Sequence, residues 1–217
     1  IKVPATSANM GPGFDSIGIA LELYNHLWFE EIEEGVEIIV KRKQEIEIPT
    51  DKNNLIYKTM VDFFAQTGNV MPGVRLIQED YIPMVRGLGS SAACIVAGLL
   101  AANHLSGRHY CREQLAQIAA KIEGHPDNSN PAFFDRIHQP YRNQLIQNMD
   151  RIFKAAKNYG ALATYLSGAG STLMAVLTEE KAEEFQQKMK AYLKAIPNEW
   201  ELTLLKPDTK GAQLIAE

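Results

Sequence analysis

The residue types best suited to chemistry lie together in the run Pro83-Met84-Val85-Arg86-Gly87-Leu88-Gly89-Ser90-Ser91-Ala92-Ala93. Glycine reaches backbone conformations closed to other residues, so a turn built on Gly87 and Gly89 can aim several N–H groups at one anion. A helix opening behind the turn adds unsatisfied N–H donors and the positive end of its dipole. Ser90 or Ser91 can cap that helix, and a hydroxyl there can reach a Mg2+ that bridges phosphates. Ala92 and Ala93 let the first turn pack closely. The pattern suits the holding of a polyphosphate, yet it is not a Walker A loop, because it has no lysine and no Gly-Lys-Ser/Thr ending. On composition alone, a glycine turn before a serine-capped helix explains the run as well as a phosphate site does. A second small-residue turn, Gly168-Ala169-Gly170-Ser171, can close on phosphates, support the first loop, or serve only as a tight strand connection.

Other segments supply a context for the loop. Pro4-Ala5-Thr6-Ser7-Ala8-Asn9-Met10-Gly11-Pro12-Gly13-Phe14-Asp15-Ser16-Ile17-Gly18 resembles the opening motif of homoserine kinases. Gly87 to Ala93 is similar to the second motif, the ATP loop, of the GHMP small-molecule kinases, and Leu166-Ser167-Gly168-Ala169-Gly170-Ser171-Thr172 to their third. Glu123-Gly124-His125-Pro126-Asp127-Asn128 and His138-Gln139-Pro140-Tyr141-Arg142 resemble homoserine kinase segments. The segments come in the family's order and span nearly the whole chain. The resemblance implies a two-lobed α+β fold, with an N-terminal lobe like ribosomal protein S5 domain 2 (residues 1–128) and a ferredoxin-like C-terminal lobe (residues 129–217). It implies ATP and Mg2+ as cofactors, and L-homoserine as the substrate phosphorylated on its hydroxyl, on the route to threonine. The family often forms homodimers. A cytoplasmic protein with no nucleic-acid or membrane partner is expected on other grounds: two cysteines that suit a reducing compartment, an opening Ile1-Lys2-Val3-Pro4 without the basic and apolar regions of a signal peptide, and the net charge and short apolar runs of the chain.

The family's site residues carry over by motif. Pro83, Met84, Val85, Gly87, Leu88, Gly89, Ser90, Ser91, Ala92 and Ala93 are expected around ATP, with Gly168 and Gly170 closing on it and Asn54 touching adenine. Asn54 is also a good helix cap, so its bland reading is strong. Ser91 and Glu123 are expected to share the metal, although some relatives place that glutamate where this chain has Gln117. A zwitterionic substrate needs an acceptor for its ammonium, a cation for its carboxylate and a partner for its hydroxyl. Asp15 and Asn9 suit the first and last, against a bland reading in which they only stabilise the turns around Gly11 and Gly13. Arg142 is the cation, able to clamp a carboxylate or the γ-phosphate bidentately, and it is expected to be catalytic with Glu123 and Ser91. His125 and Asn128 line the substrate pocket. Mevalonate kinase relatives have an aspartate base near the position of Asn128. An amide takes no proton at neutral pH, so catalysis is expected to rest on positioning and charge stabilisation. Other GHMP kinases (for mevalonate, shikimate or a sugar) and an ATP-binding regulatory module remain the competing readings. A substrate panel separates the first, and nucleotide binding without turnover would favour the second.

One departure bears on these assignments. In the family a long stretch with an arginine-bearing substrate segment follows His-Pro-Asp-Asn, whereas here Asn128 runs straight into Ser129-Asn130-Pro131. A segment of the family's pattern is therefore expected to be absent at that junction, and part of the substrate site with it.

The elements that must position these residues can be read from periodicity. Ile17, Ile19, Leu21 and Leu23 alternate as in a strand; Val36 to Lys43, then Glu45 to Ile48, and Val74 to about Pro83 are further candidates. A helix is expected over Asp51–Gly68, with Leu55, Ile56, Met60, Phe63 and Phe64 on one stripe and Gly68 as its stop. Helices follow over Ser90–Leu105, Arg112–Glu123, Leu145–Tyr159 and Glu180–Ala195, and strands over Ala161–Leu166, Thr172–Leu177 and Glu201–Leu205. This mixture lacks a strict βαβ rhythm, which indicates α+β. With 217 residues, 46% apolar and 22% charged, the chain has an ordinary globular composition. Its net charge of −4 argues against nucleic-acid binding through a basic surface. Cys94 and Cys111 have no metal-ligand spacing and read as buried thiols. Trp28, Trp200, Phe63 and Phe64 are expected in the core, and Glu30 to Glu34 in a solvated turn or edge. The longest apolar run, Ala92 to Asn103, is too short to span a bilayer.

Overall fold

The computed structural model, which describes residues 1–8, 10, 17–42, 46–123 and 146–215, opens on strand β1 (Lys2–Ala8). Periodicity does not announce this strand. Pro4 interrupts it, and the pairing with the next strand shifts register between Pro4 and Ala5. A proline with no N–H is tolerated at such an irregularity. β2 (Gly18–Ile32) is far longer than its alternating start suggests. Its first half pairs antiparallel with β1, and its second half with β4 (Gly73–Glu79). Between these come β3 (Val36–Val40) and helix α1 (Leu55–Thr67). The sheet order is β1-β2-β4-β3, with β3 parallel to β4.

Helices α1 and α2 (Ser90–Leu105) cover one face of this sheet. Leu21, Leu27, Ile38 and Leu76 from the strands meet Ile56 of α1 and Ala93 and Ala97 of α2 in one core cluster. Met60, Phe63 and Phe64 pack with Val74, Ile95 and Leu99 in a second. α1 starts on Asn54, whose side chain accepts from the N–H groups of Ile56 and Tyr57, and stops at Gly68, whose φ of 68° is the left-handed cap that glycine adopts without cost. Leu55, expected on the buried stripe, is 36% exposed because it occupies the first helical position beside the cap. α3 (Arg112–Glu123) adds Leu115 to the second cluster.

In the C-terminal half, α4 (Met149–Asn158) and α5 (Glu179–Ala195) pack around Ile152, Ala156, Phe185 and Met189, beside the antiparallel pair β5 (Ala163–Leu166) and β6 (Leu173–Val176). The expected strand at Glu201–Leu205 does not form. Instead the segment beyond it returns to the first sheet. Glu22 N–H donates to Lys206 O (2.9 Å) and Asp208 N–H to Ala20 O (2.8 Å). Lys2 and Gln213 exchange backbone bonds of 2.9 and 2.8 Å.

Two side-chain expectations need correction. Trp28 is only partly buried. It lies beside His26, with its ring under Lys41 Nζ at 4.7 Å, because its position in β2 alternates with the inward-facing Leu27. Cys111 is exposed, and both cysteines are free thiols. The Asn128–Ser129 junction, and with it the division of the chain there, lies outside the described residues.

Candidate active site

Three segments distant in sequence meet at the glycine loop: the end of β1, the loop itself, and the turn between β5 and β6. Their contacts fall on three successive carbonyls of the loop. Thr172 N–H donates to Arg86 O (3.2 Å), Ser167 Oγ–H to Gly87 O (2.6 Å), and Thr6 N–H to Leu88 O (3.0 Å). In a trans peptide the C=O and the following N–H point in opposite directions. Drawing these carbonyls back against β1 and the β5–β6 turn therefore turns the N–H groups of Gly87, Leu88 and Gly89 the other way. Among the described residues nothing accepts from those N–H groups. They form a run of unpaired donors of the kind that holds an anion.

Only glycine fits where the segments touch. A Cβ at Gly87 would lie 2.1 Å from Ser167 O, and one at Gly89 would lie 2.0 Å from Thr6 Oγ1. Both residues have positive φ, 78° and 70°. Gly89 is also the N-cap of α2, which carries no side-chain cap and no acidic residue in its first turn. The expectation that Ser90 or Ser91 caps the helix is thus corrected: both lie inside it, and the cap is the left-handed glycine. The first N–H groups of α2 and its positive dipole end stay available to a ligand. Ser91 stands exposed in that first turn, and Ala93 behind it is buried. Ala92 is partly buried, as are Met84 and Ser90, while Leu88 is buried; Pro83 and Val85 are exposed at the mouth of the loop.

A buried polar chain joins the start of α1 to the end of β4. Asn54 Nδ2 donates to Pro49 O (2.9 Å) and to Gln78 Oε1 (3.1 Å), and Gln78 Nε2 donates to Asp80 Oδ2 (2.6 Å). Asn54 is 1% exposed, and its oxygen already serves two N–H groups of α1. Its polar atoms are engaged within the chain, so the structure makes Asn54 a cap and strut, leaving no polar side-chain atom for the expected adenine contact. Burial pushes the Asp80 carboxyl up from the usual carboxylate range, against the pull of Gln78. Burial, with the Asp80 charge adding to it, pushes the Cys94 thiol up to about 12.

The remaining expectations divide by place. Gly168 and Gly170 sit in the turn that backs the loop, and Gly168 N–H donates to Ala8 O (3.4 Å). The backbone that leads into Asn9 therefore leaves β1 beside the third motif. Asn9, Asp15, His125, Asn128 and Arg142 lie outside the described residues, as does the side chain of Glu123, whose backbone ends α3. Thr6, Ser7, Ser167 and Thr172 were not among the expected site residues. They lie within the quoted motifs, but nothing in their types or spacing says which carbonyls they would meet.

Comparison with known proteins follows the same lines. A model of the GHMP kinases N-terminal domain matches residues 54–136, and one of the GHMP kinases C-terminal domain matches residues 112–195. A homoserine kinase of Clostridium novyi is 33% identical, the match covering 99% of this chain and 98% of that one. The chain belongs to the GHMP kinase family. A homoserine kinase of Caldicellulosiruptor saccharolyticus is 32% identical, covering 100% and 96%. A solved structure assigned as a homoserine kinase, from Listeria monocytogenes, superposes with a TM-score of 0.79 at 27% identity, covering 100% and 98%. A mevalonate kinase structure shares the fold at a TM-score of 0.65 and 11% identity. This GHMP kinase is thus an ATP-dependent small-molecule kinase of two-part α+β architecture. The alignment with the Clostridium protein runs over 296 positions against the chain's 217 residues, so it holds at least 79 positions with no residue here.

Proposed function

We infer that the chain transfers the γ-phosphate of ATP to the hydroxyl of L-homoserine, giving O-phospho-L-homoserine for threonine biosynthesis in the cytoplasm. The observation that carries this reading is the loop of outward N–H groups at a helix start with no side-chain cap, in a chain matched over its whole length by homoserine kinases. Phosphoryl transfer leaves little covalent chemistry to the protein and depends on positioning and charge. The N–H groups of Gly87, Leu88 and Gly89, with the first turn of α2, hold the phosphates, and Val85 and Met84 border the nucleotide. The exposed Ser91 hydroxyl has the hard oxygen donor that Mg2+ prefers, and Glu123 is the matching carboxylate. When bound, Mg2+ would neutralise charge on the phosphates. Asp15 and Asn9 take the substrate ammonium and hydroxyl, Arg142 its carboxylate or the γ-phosphate, and His125 and Asn128 line the pocket. No dedicated carboxylate base is invoked, since Asn128 cannot accept the proton.

The test is Mg2+-dependent ADP release with L-homoserine, mevalonate, shikimate and galactose offered separately. Turnover with L-homoserine alone is expected, and Arg142→Ala should lower kcat/KM by roughly a hundredfold, as loss of a charge-stabilising donor does. Turnover with another acceptor would discard the substrate assignment and keep the ATP site. ATP binding without turnover on any acceptor would discard the enzyme.

A further inference from the structure

The hydroxyl behind the loop belongs to a pair. Ser167 Oγ lies 2.7 Å from Ser7 Oγ, and both residues are wholly buried, at 0% exposure. A carbonyl oxygen can only accept, so the single proton of Ser167 is committed to Gly87 O. Ser167 then offers Ser7 nothing but lone pairs, and Ser7 must be the donor between them. The hydroxyls thus run in one direction, from Ser7 on β1 through Ser167 to the loop. Tyr165 Oη, 3.4 Å from Ser7 Oγ, is a longer contact that competes for the same Ser7 proton.

This polarity matters because of what it restrains. Turning the peptide between Gly87 and Leu88 changes ψ of Gly87 and φ of Leu88 together, and glycine, lacking a Cβ, eases the first of these two rotations. A half-turn of that peptide would aim Gly87 O outward and bury Leu88 N–H. The site would exchange a donor for a negative dipole facing the phosphates. The bonds on either side, to Arg86 O and Leu88 O, come from backbone N–H groups that no side-chain substitution removes. The middle peptide is held by a side chain.

We propose that Ser167, oriented by Ser7, is a positioning residue for phosphate binding, keeping the Gly87–Leu88 peptide turned so that Leu88 N–H faces the nucleotide. The proposal rests on the reading of the loop as the ATP site. It distinguishes phosphate recognition from general stability, because the adenosine part of the ligand does not sense the peptide's direction. The experiment is calorimetric titration of adenosine, ADP and Mg·ATP into the wild-type chain and into Ser167→Ala, Ser7→Ala and Ser167→Thr. Ser167→Ala is expected to weaken ADP and ATP roughly tenfold, the size of one lost hydrogen bond, with adenosine within about twofold. Ser7→Ala leaves the Gly87 contact but frees the Ser167 rotor, and should weaken ATP by about two- to threefold. Ser167→Thr keeps the hydroxyl and should restore most of the affinity. Equal weakening of adenosine and ATP, or unchanged ATP binding in both alanine variants, would overturn the proposal. Should Ser167→Ala fail to fold, Ser7→Ala decides alone, by the same comparison. A wild-type chain that binds no ATP would instead overturn the nucleotide reading itself.

Discussion

At the scale of single residues, Gly89 shows why the loop has the composition it has. It starts α2 with a positive φ of 70°, and a Cβ there would collide with Thr6 Oγ1 at 2.0 Å. Those constraints are independent, one of backbone conformation and one of space. Gly89→Ala must therefore turn the Thr6 side chain or shift the loop against β1, and it strains the backbone that presents the donor set in either case. We expect KM for ATP to rise by tenfold or more, with a smaller change for the phosphate acceptor, measured by steady-state kinetics with each substrate varied in turn. Equal rises in both KM values would mean that the collision disturbs the whole cleft. Asn54 makes the opposite point. Its type is compatible with a ligand contact or with a cap, and only the bonds to Pro49 O, Gln78 Oε1 and the N–H groups of α1 decide for the cap.

At the scale of elements, the site depends on how closely α1 and α2 cross. α2 is rich in small residues, and Gly98 lies at the contact. A Cβ there would sit 2.8 Å from Ile56 O and 2.9 Å from Thr59 Cβ. The backbone oxygen cannot yield as a side chain could, so Gly98→Ala would push the helices apart. In an exposed helix the same change would help, since alanine is the better helix former. Here overpacking outweighs propensity, and we expect a loss of about 1–3 kcal/mol in denaturant unfolding. Stabilisation instead would mean that the crossing has slack. Because α2 carries the loop at its N-terminus, a displaced α2 should also weaken ATP binding.

At the scale of the whole molecule, the C-terminal segment ties the second half of the chain back to the first. Besides the backbone bonds to β1 and β2, Tyr24 donates its hydroxyl to Asp208 Oδ2 at 2.7 Å. This bond to a carboxylate pushes the phenol up to about 12, and it holds the Asp208 carboxyl below its usual range. Between the acid range, where Asp208 takes a proton and the bond to its carboxylate is lost, and the ordinary phenol value of about 10, both folded and unfolded chains keep the Tyr24 proton and the tie contributes fully. Between about 10 and about 12 the unfolded chain loses that proton first, so the contribution falls as pH rises. Ultraviolet titration should show one phenol ionising late in the wild-type chain and moving back toward about 10 in Asp208→Asn. No change on that substitution would show that the strap does not hold Tyr24.

What the sequence determined by itself was local. α2 and α3 begin and end where the glycine loop and the apolar spacing place them. Gly68 stops α1, and the ordered motifs lead to the family and so to the fold. Helix periods, caps and glycine turns depend on residues within a few positions of one another, and one chain displays them. β1 was not legible, since Pro4 and small residues hide its alternation, nor was the loss of the expected strand at Glu201–Leu205. A strand is defined by its partner, which can lie anywhere in the chain. The tertiary structure alone decided that Thr6, Ser167 and Thr172 would hold three carbonyls of a loop some 80 residues from each. It did so because a hydrogen-bond direction is a property of the folded space around a peptide, and residue types record only the capacity to make it.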